Sequence, residues 1–473
     1  MRKLIDENKI IVEIGKIADS VNANAYLIGG YVRDLISGRN SMDIDIMIIG
    51  DGIKFAEIVA QRMNTKLSAV YKKFNTALLK VDRTIIEFSS SRKESYDRHS
   101  RKPKVHPASL SDDIARRDFT INAIAISLNK ETFGEIIDLF NGVDDIKNKI
   151  IRTPLDPIKT FDDDPLRILR AIRFAATFQF VIEKHTFEGI IKMHNRLRDN
   201  IVSQERITKE FLMILGSAKP SYGLELLFKS GVMDVIFPEI AELAGVEQRK
   251  DYHHKDVFYH TLKVVDNISE KTDNLWLRFA ALVHDIAKPQ TKRFVEGVGW
   301  TFHGHEELGA RMLKNIFKRL KLPLDKLPYV EKLVRMHLRP IPLANDDVTD
   351  SAIRRLAADA GEDLEDLLLL CRADITSKNP EKVKRFMNNY EIVEKKVVEV
   401  QAKDKLRNFH SPVRGEKIME VCNIKPSREV GVLKKAIEEA ILDGLIPNDY
   451  EAALNYLYKI KDEILEVNSG EEK

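Results

Sequence analysis

The stretch Ala25-Tyr26-Leu27-Ile28-Gly29-Gly30-Tyr31-Val32-Arg33-Asp34, followed by Asp43-Ile44-Asp45-Ile46-Met47-Ile48-Ile49, decides the reading of this chain. A short apolar strand ends in a Gly-rich turn, which passes the chain to a helix starting near Tyr31. A second strand then opens with two carboxylates. Strand side chains alternate faces, so Asp43 and Asp45 project together and Ile44 projects the other way. Acids that close repel each other unless a cation lies between them. A divalent metal is the usual answer, and a Gly-rich turn at a helix start offers backbone N–H groups to phosphate. The pair therefore reads as a metal-dependent site for a nucleoside triphosphate. Gly29 and Gly30 form the phosphate cradle, and Arg33 reaches the triphosphate. Taken alone, Gly-Gly is a tight turn and Asp-x-Asp a solvated edge. The apolar run 46–49 argues against an edge, because acids opening a buried strand need a partner. A two-metal centre uses carboxylates that bridge both ions. Glu87, in Thr84-Ile85-Ile86-Glu87-Phe88, is the candidate third acid.

A chain of 473 residues exceeds one ordinary core and predicts two to four domains. Its 44% hydrophobic and 32% charged content is that of a globular protein. No apolar run reaches the roughly 18–20 residues needed to span a bilayer, so no membrane partner is expected. The N-terminus has apolar residues at helical spacing, interrupted by charge, and reads as an amphipathic helix rather than a signal peptide. Cys371 and Cys422 lack a metal-type spacing and read as reduced, buried thiols of a cytoplasmic protein. A net charge of +3 argues against a uniformly basic nucleic-acid surface. Basic strips at 92–104, 314–332 and 378–407 can still bind a phosphate backbone, or serve as solvated helix faces.

The first ~150 residues mix strand and helix. Strands are expected at 25–29, 43–50, 76–82 and 84–88, and helices at 53–64 and 119–127. The polar stretch after Arg92 lacks periodicity and reads as a flexible loop. Residues 136–151 read as a strand, a turn at Asn141-Gly142 and a short further element. Past Pro157 the chain is helix after helix. The fold class is α+β: a mixed-sheet head followed by an all-α remainder.

Two further motifs point to chemistry. In Arg116-Arg117-Asp118-Phe119-Thr120-Ile121-Asn122-Ala123, Asp118 and Asn122 are four apart and would share a helix face. They suit a ribose or a triphosphate, or Asp118 caps that helix. In Asp162-Asp163-Asp164-Pro165-Leu166-Arg167-Ile168-Leu169-Arg170, Pro165 suits a first helical turn with acids at its positive end. Asp163, Arg167 and Arg170 fall on one stripe. Such a stripe is either capping plus surface ion pairs, or a base-reading template in which a carboxylate accepts from a base amino group and an arginine donates.

Together these segments resemble the class II tRNA nucleotidyltransferases, the CCA-adding enzymes, and the related bacterial poly(A) polymerases. The likeness covers about residues 15–240 and continues more loosely to the C-terminus. Gly29-Gly30-x-x-Arg33-Asp34 with Asp43-x-Asp45 matches the family's catalytic motif. Arg117, Asp118 and Asn122 match its ribose-selecting motif, and Asp138 to Gly142 its hinge. Asp163, Asp164 and Arg167 match the motif that selects CTP and ATP, with Arg170 beside them. The family usually has Glu-Asp where this chain has Asp163-Asp164, so the first arm is a methylene shorter. The resemblance implies a polymerase-β-like head that adds C, C and A to the 3′ end of tRNA. It also implies Mg²⁺ held by Asp43 and Asp45. The loop 94–105 matches one that CC-only relatives lack, which favours A addition. An A-adding enzyme or a poly(A) polymerase would share these motifs.

A second constellation lies downstream: His260, His284-Asp285, His303, His305, His337 and Asp374. Half of the 12 histidines fall between His253 and His305. An adjacent His-Asp pair with further His and a distant Asp offers nitrogen and oxygen donors for a divalent metal. It resembles the HD phosphohydrolases, with His260, His284, Asp285 and Asp374 as core ligands and His303, His305 and His337 as accessory positions. The resemblance implies a second divalent metal (Mn, Ni or Co) and a phosphohydrolase activity. Four parts are expected: a nucleotidyltransferase head at 1–153, a base- and RNA-binding neck at 154–245, an HD-type region at 246–380 and a tRNA-binding helical tail at 381–473. A competing reading makes the head an RNA-binding module that serves an HD hydrolase.

Overall fold

Asp43–Ile49 forms the central strand of a seven-stranded sheet. In chain order the strands as far as Asp138 are β1 (Asn24–Ile28), β2 (Asp43–Ile49), β3 (Leu67–Tyr71), β4 (Thr76–Val81), β5 (Thr84–Ser90), β6 (Arg92–Asp97), β7 (Ser100–Pro107), β8 (Ile124–Ser127) and β9 (Ile136–Asp138). The sheet order is β3-β4-β5-β2-β1-β8-β9. Only the β2–β5 pairing is parallel; the other ladders of this sheet are antiparallel. Ile44, Ile46 and Ile48 project from one face of β2 and are buried. Below that strand, Phe55 of helix Gly52–Arg62 meets Phe88 of β5 edge to face, with ring centroids 5.8 Å apart. The other face carries Asp43 and Asp45, then Met47, which packs with Ile28, Ile114, Ala123 and Ala125.

The computed structural model describes residues 2–41, 43–97, 100–199, 201–246, 256–341, 343, 349–376, 379–404 and 411–469. They divide into two units: Met1–Glu242 with Arg319–Leu322, and Leu243–Lys318 with Pro323–Lys473. The expected head and neck share the first unit, and the expected HD region and tail share the second. Head and neck hold together because helix Leu166–Phe178 is buried along most of its length. Phe174 of that helix packs edge to face on Phe119 of the head, with centroids 5.7 Å apart. In the second unit the tail has its own apolar core, including Val413, Ile418, Leu433, Ile437 and Leu457.

Several expectations need correction. Residues 119–127 are not a helix: a 3₁₀ turn at Thr120–Asn122 leads into β8. The run Ile124-Ala125-Ile126-Ser127 is buried on both faces, so its apolar pattern is continuous and periodicity cannot separate strand from helix. The stretch after Arg92 is no loop: β6 and β7 pair antiparallel, with Arg92 opposite Pro107 and Glu94 opposite Val105. Its polar sequence lacks the apolar alternation that marks a strand. β3 carried no strand signal; its residues are exposed or half-buried at the sheet edge. The helix that follows β1 begins at Gly29 rather than Tyr31. Cys371 is buried, but Cys422 is only half-buried. His253, His254 and the parts of the basic strips at 98–99, 378 and 405–407 lie outside the described residues.

Close packing makes one glycine decisive. A Cβ on Gly142 would lie 2.1 Å from the Thr120 carbonyl oxygen, whereas a Cβ on Gly431 would meet nothing within 4 Å. Gly142→Ala is expected to destabilise the first unit by about 1–3 kcal/mol. Gly431→Ala, inside helix Arg428–Leu442, is expected to stabilise by about 0.5–1 kcal/mol. Denaturant unfolding of the two variants checks this; a Gly142→Ala protein as stable as the parent contradicts the packing.

Candidate active site and a second candidate metal centre

The parallel register of β2 and β5 places Asp45 opposite Glu87 and Asp43 opposite Ile85. All three acids therefore gather on one face of the sheet. Asp43 and Glu87 are exposed, and Asp45 is half-buried between them. Burial, then the charges of Glu87 and Asp43, push the Asp45 carboxyl up to about 6, against the pull of Arg117. Burial also raises Glu87, against Arg92 and Arg117. A site that suppresses the ionisation of its own acids favours a cation, and oxygen-only donors suit a hard divalent ion such as Mg²⁺.

The Gly-rich turn is built around these acids. Gly29 has φ +69°, and a Cβ there would stand 3.1 Å from Asp45 Oδ2 and 3.3 Å from an Arg117 nitrogen. Gly30 donates its backbone N–H to Asp45. This amide thus orients the carboxylate, where the sequence suggested a phosphate ligand. A cavity of about 610 Å³ opens over Asp45 and Glu87, lined also by Arg92, Arg116, Arg117 and residues of β3, β4 and β5. Asp113, to which no role was given, ties both arginines: Arg116 Nη2 lies 2.6 Å and Arg117 Nη2 2.9 Å from its carboxylate. Their spacing of three and four residues was the available signal. Arg117 Nε is buried without a hydrogen-bond partner among the described residues. The cavity wall thus carries a donor that an anionic ligand would satisfy.

Arg33 does not face this cavity as a free cation. Its guanidinium pairs with Asp34 through Nε and Nη2 at 2.9 Å each and donates from Nη1 to Asn122 Oδ1 at 2.9 Å. It also stacks over Phe178, 4.6 Å from the ring centroid. Asp118 and Asn122 do meet, although not on a helix: Asn122 Nδ2 donates to Asp118 Oδ1 at 3.0 Å. Arg170 grips the other oxygen, Oδ2, through Nε at 2.8 Å and Nη2 at 2.6 Å. Burial opposes ionisation of Asp118, but Arg170 and Asn122 outweigh it and hold the carboxyl at about 2. Arg33, Asn122, Asp118 and Arg170 thus form one chain of charge-assisted bonds from the Gly-rich helix to the neck.

Asp163 and Arg167 do not share a helix. Asp163 ends helix Pro157–Asp163, and Asp164 is extended at φ −143° before Pro165. Proline disfavours a helical residue ahead of it, so the stripe breaks there. Asp164 accepts the Leu166 N–H at 3.1 Å, and Arg167 donates to the Arg116 carbonyl at 2.7 Å. Both side chains are largely buried. Asp138 binds the backbone N–H groups of Gly142 and Val143 at 2.8 and 2.9 Å, capping the turn after β9.

The second unit gathers four histidines about Asp285 and Asp374. Asp374 Oδ1 lies 2.8 Å from His260 Nε2 and 3.5 Å from His284 Nε2. Asp285 Oδ2 lies 3.2 Å from His284, and its Oδ1 lies 3.2 Å from His305 and 4.0 Å from His337. Each Nδ1 is tethered to a protein oxygen: His260 to Thr376, His284 to Ala281, His305 to Phe302 and His337 to Val334. Such outer bonds fix the ring and direct Nε2 inward, as metal-binding imidazoles require. Two triads satisfy the spacing for a metal: His260, His284, Asp285 and Asp285, His305, His337. His284 Nε2 is buried without a well-formed hydrogen bond. The donor set fits a divalent transition ion. Burial works against ionisation of Asp285, but His284 and Lys288 hold it well below the ordinary carboxylate range. His303 is exposed and stands outside the cluster; its turn position points it to solvent. Thr376 and Lys288, whose Nζ is 2.6 Å from Asp285, were not foreseen.

Comparison with known proteins decides the family. Residues 25–152 match the poly A polymerase head domain, 179–243 the "probable RNA and SrmB-binding site of polymerase A", and 257–379 the HD domain. A multifunctional CCA protein of Nitrosococcus oceani is 32% identical over 368 residues, covering 75% of this chain and 85% of that one. The chain belongs to the tRNA nucleotidyltransferase/poly(A) polymerase family. Family members of differing name resemble it. A CC-adding tRNA nucleotidyltransferase of Thermus thermophilus is 29% identical over 92% of this chain and 93% of its own. An A-adding tRNA nucleotidyltransferase of Aquifex aeolicus is 35% identical over 58% of this chain, and the match spans 32% of that relative. The chain thus spans about a third of the length of that relative, and likewise of an A-adding one from Geobacter sulfurreducens, at 31%. Among solved structures, a tRNA nucleotidyltransferase complexed with a primer tRNA and an incoming ATP analog matches with TM-score 0.57 and 26% identity. It covers 81% of this chain and 98% of that one. An apo CCA-adding enzyme matches in fold over 97% of this chain and 98% of its own, with TM-score 0.65 and 23% identity.

The buried clamp yields a stability prediction. Asp118→Asn is expected to cost about 3 kcal/mol at neutral pH, because Arg170 loses its charged partner. The folded-state value of about 2 lies below the ordinary value near 3.9. The clamp's contribution is therefore complete above the unfolded value and is lost as pH falls through the folded one. Denaturant melts of both proteins from pH 6 to pH 2 are expected to show a gap that is constant above ~pH 4 and narrows below. A pH-independent gap contradicts the clamp.

Proposed function

We propose that this chain transfers CMP, CMP and AMP from CTP and ATP to the 3′ end of tRNA. One observation carries the reading: Asp43, Asp45 and Glu87 share a sheet face, and a cavity walled by Arg92, Arg116 and Arg117 opens over Asp45 and Glu87. Acids alone would suit many metal enzymes. Acids facing arginines suit a metal–triphosphate complex, whose own charge is negative. In the reaction, the 3′-hydroxyl oxygen bonds to the α-phosphorus, and the bond from that phosphorus to the bridging β-phosphate oxygen breaks, releasing pyrophosphate. Asp43, Asp45 and Glu87 would hold Mg²⁺, which when bound would activate the hydroxyl and neutralise the leaving group. Arg117, with its unsatisfied Nε–H, and Arg116 hold the phosphates. Asn122, positioned by Arg33 and Asp118, stands on the ribose side. Asp164 and Arg167 read the base edge, and Asp163 supports them from the preceding helix. Arg170 acts through Asp118 rather than on the nucleotide. The family's relatives with tRNA and ATP in their structures support tRNA, CTP and ATP as partners.

The HD-type region is proposed to hold a divalent transition ion (Mn, Ni or Co) on His260, His284, Asp285 and Asp374, with His305 and His337 on the far side of Asp285. It would hydrolyse phosphate esters.

The decisive assay incubates the protein with tRNAs ending before CCA and after CC, and sequences the products. Extension of both, with C then A on the first, is expected. ATP incorporation on the CC-ended tRNA alone would reassign the chain as an A-adding enzyme, and ATP use on a non-tRNA primer as a poly(A) polymerase. Asp43→Ala and Asp45→Ala are each expected to lower addition more than about a hundredfold, the scale of losing one charged group at a reacting centre. His284→Ala is expected to leave it intact. The competing hydrolase reading predicts the reverse pattern.

Metal analysis after dialysis tests the second centre. The parent protein is expected to retain a transition ion, and His260→Ala to lose it while nucleotide addition persists. A parent protein free of such metal after refolding with Mn²⁺, Ni²⁺ or Co²⁺ contradicts the assignment.

A further inference from the structure

A small antiparallel ribbon in the second unit, Arg293–Val295 paired with Gly299–Thr301, takes no part in the sites above. Phe294 and Trp300 are cross-strand partners on one of its faces, edge to face with centroids 5.3 Å apart. Both are exposed, Phe294 at 53% and Trp300 at 37%, and Val298 at the turn is 74% exposed. An isolated two-stranded ribbon is marginal in water, and solvent-facing aromatics on it gain nothing from a core. Its charge points to a ligand. Lys292 Nζ sits over the Trp300 ring, 4.5 Å from the centroid, and Arg293 is exposed beside it. Lys288 precedes the ribbon and lies 5.7 Å from the Phe302 ring, which follows it. Glu296, at the turn, is the one acid on the ribbon. Exposed aromatic rings flanked by cations match unpaired bases joined by phosphates: bases stack on the aromatics and the backbone meets Lys292 and Arg293, since Lys288 is already paired with Asp285.

We propose that the Phe294–Trp300 face binds single-stranded RNA by base stacking. Both ends of the ribbon are rooted at the metal cluster. Lys288 contacts Asp285, and the Phe302 carbonyl accepts from His305. A strand lying on the ribbon therefore runs toward that cluster. RNA is chosen over other polyanions on the reading of the chain as an RNA-acting enzyme. The nucleotide-addition assay tests that reading separately.

The chain's two tryptophans make the test direct. Trp276 is half-buried and tilts against the buried Phe279 and Phe317, so Trp276→Phe leaves Trp300 as the sole reporter. In the full-length protein, a single-stranded RNA hexamer is expected to quench Trp300 emission saturably, while its binding is followed by anisotropy of labelled RNA. Phe294→Ala or Lys292→Ala is expected to weaken the quench by about tenfold, within the range for one stacked base. Raised salt is expected to weaken it further. Both variants are expected to add nucleotides to tRNA at the parental rate, which confirms their folding. RNA that binds without changing Trp300 emission overturns the proposal. So does equal quenching by duplex RNA, or by free ATP at the same affinity. A concentration-dependent dimer dispersed by Trp300→Ala would assign the face to a second copy of the chain and overturn it too.

Discussion

Electrostatic repulsion among Asp43, Asp45 and Glu87 is the constraint on which the first unit depends. The only parallel ladder in the seven-stranded sheet creates it, by setting Asp45 directly beside Glu87. An antiparallel partner could have met β2 through a tight hairpin. The parallel one requires that β5 arrive after helix Gly52–Arg62 and the β3–β4 hairpin. That crossover also supplies Tyr71, Thr76 and Leu78 to one side of the cavity. The cost of the acids is visible in Asp45, raised to about 6, and is offset only in part by Arg117 and by the Gly30 amide. Gly29 permits this close approach, since a Cβ would crowd both Asp45 and Arg117.

A second constraint links the head to the neck. Asp118 accepts Asn122 on one oxygen and a two-pronged Arg170 on the other, and Asn122 in turn accepts from Arg33. Each guanidinium is also laid on an aromatic ring of the neck helix: Arg33 on Phe178, and Arg170 on Phe174. The network fixes the distance between the acid-bearing sheet and the helix that carries Arg167. The account of Asp164 and Arg167 as base readers depends on that distance staying fixed.

Legibility in the sequence followed the physical origin of each signal. The acids of β2 and the Gly-rich turn were readable because alternation and φ > 0 are local properties. The pairing of Asp45 with Glu87 was not, because register between distant strands leaves no trace in one sequence. Residues 119–127 failed for a related reason: β8 is buried on both faces and shows no period. The β6–β7 ribbon failed because its strands are polar. The motif suggests Arg33 as a phosphate ligand, yet Asp34 beside it is its bidentate partner. The His-Asp cluster was readable by residue type, and only the exposed His303 was misplaced. Asp285 also bridges the two triads through its separate oxygens, which no spacing could show.

The measurement that bears most directly on the acid cluster is Mn²⁺ binding followed by electron paramagnetic resonance. It is made with CTP present, on protein whose HD-type cluster has been disabled by His260→Ala and Asp285→Ala. Mn²⁺ retained by the head is expected to be lost on adding Asp45→Asn, and weakened on adding Glu87→Gln. Retention of the same Mn²⁺ after Asp45→Asn would contradict the central claim that these carboxylates hold the catalytic cation.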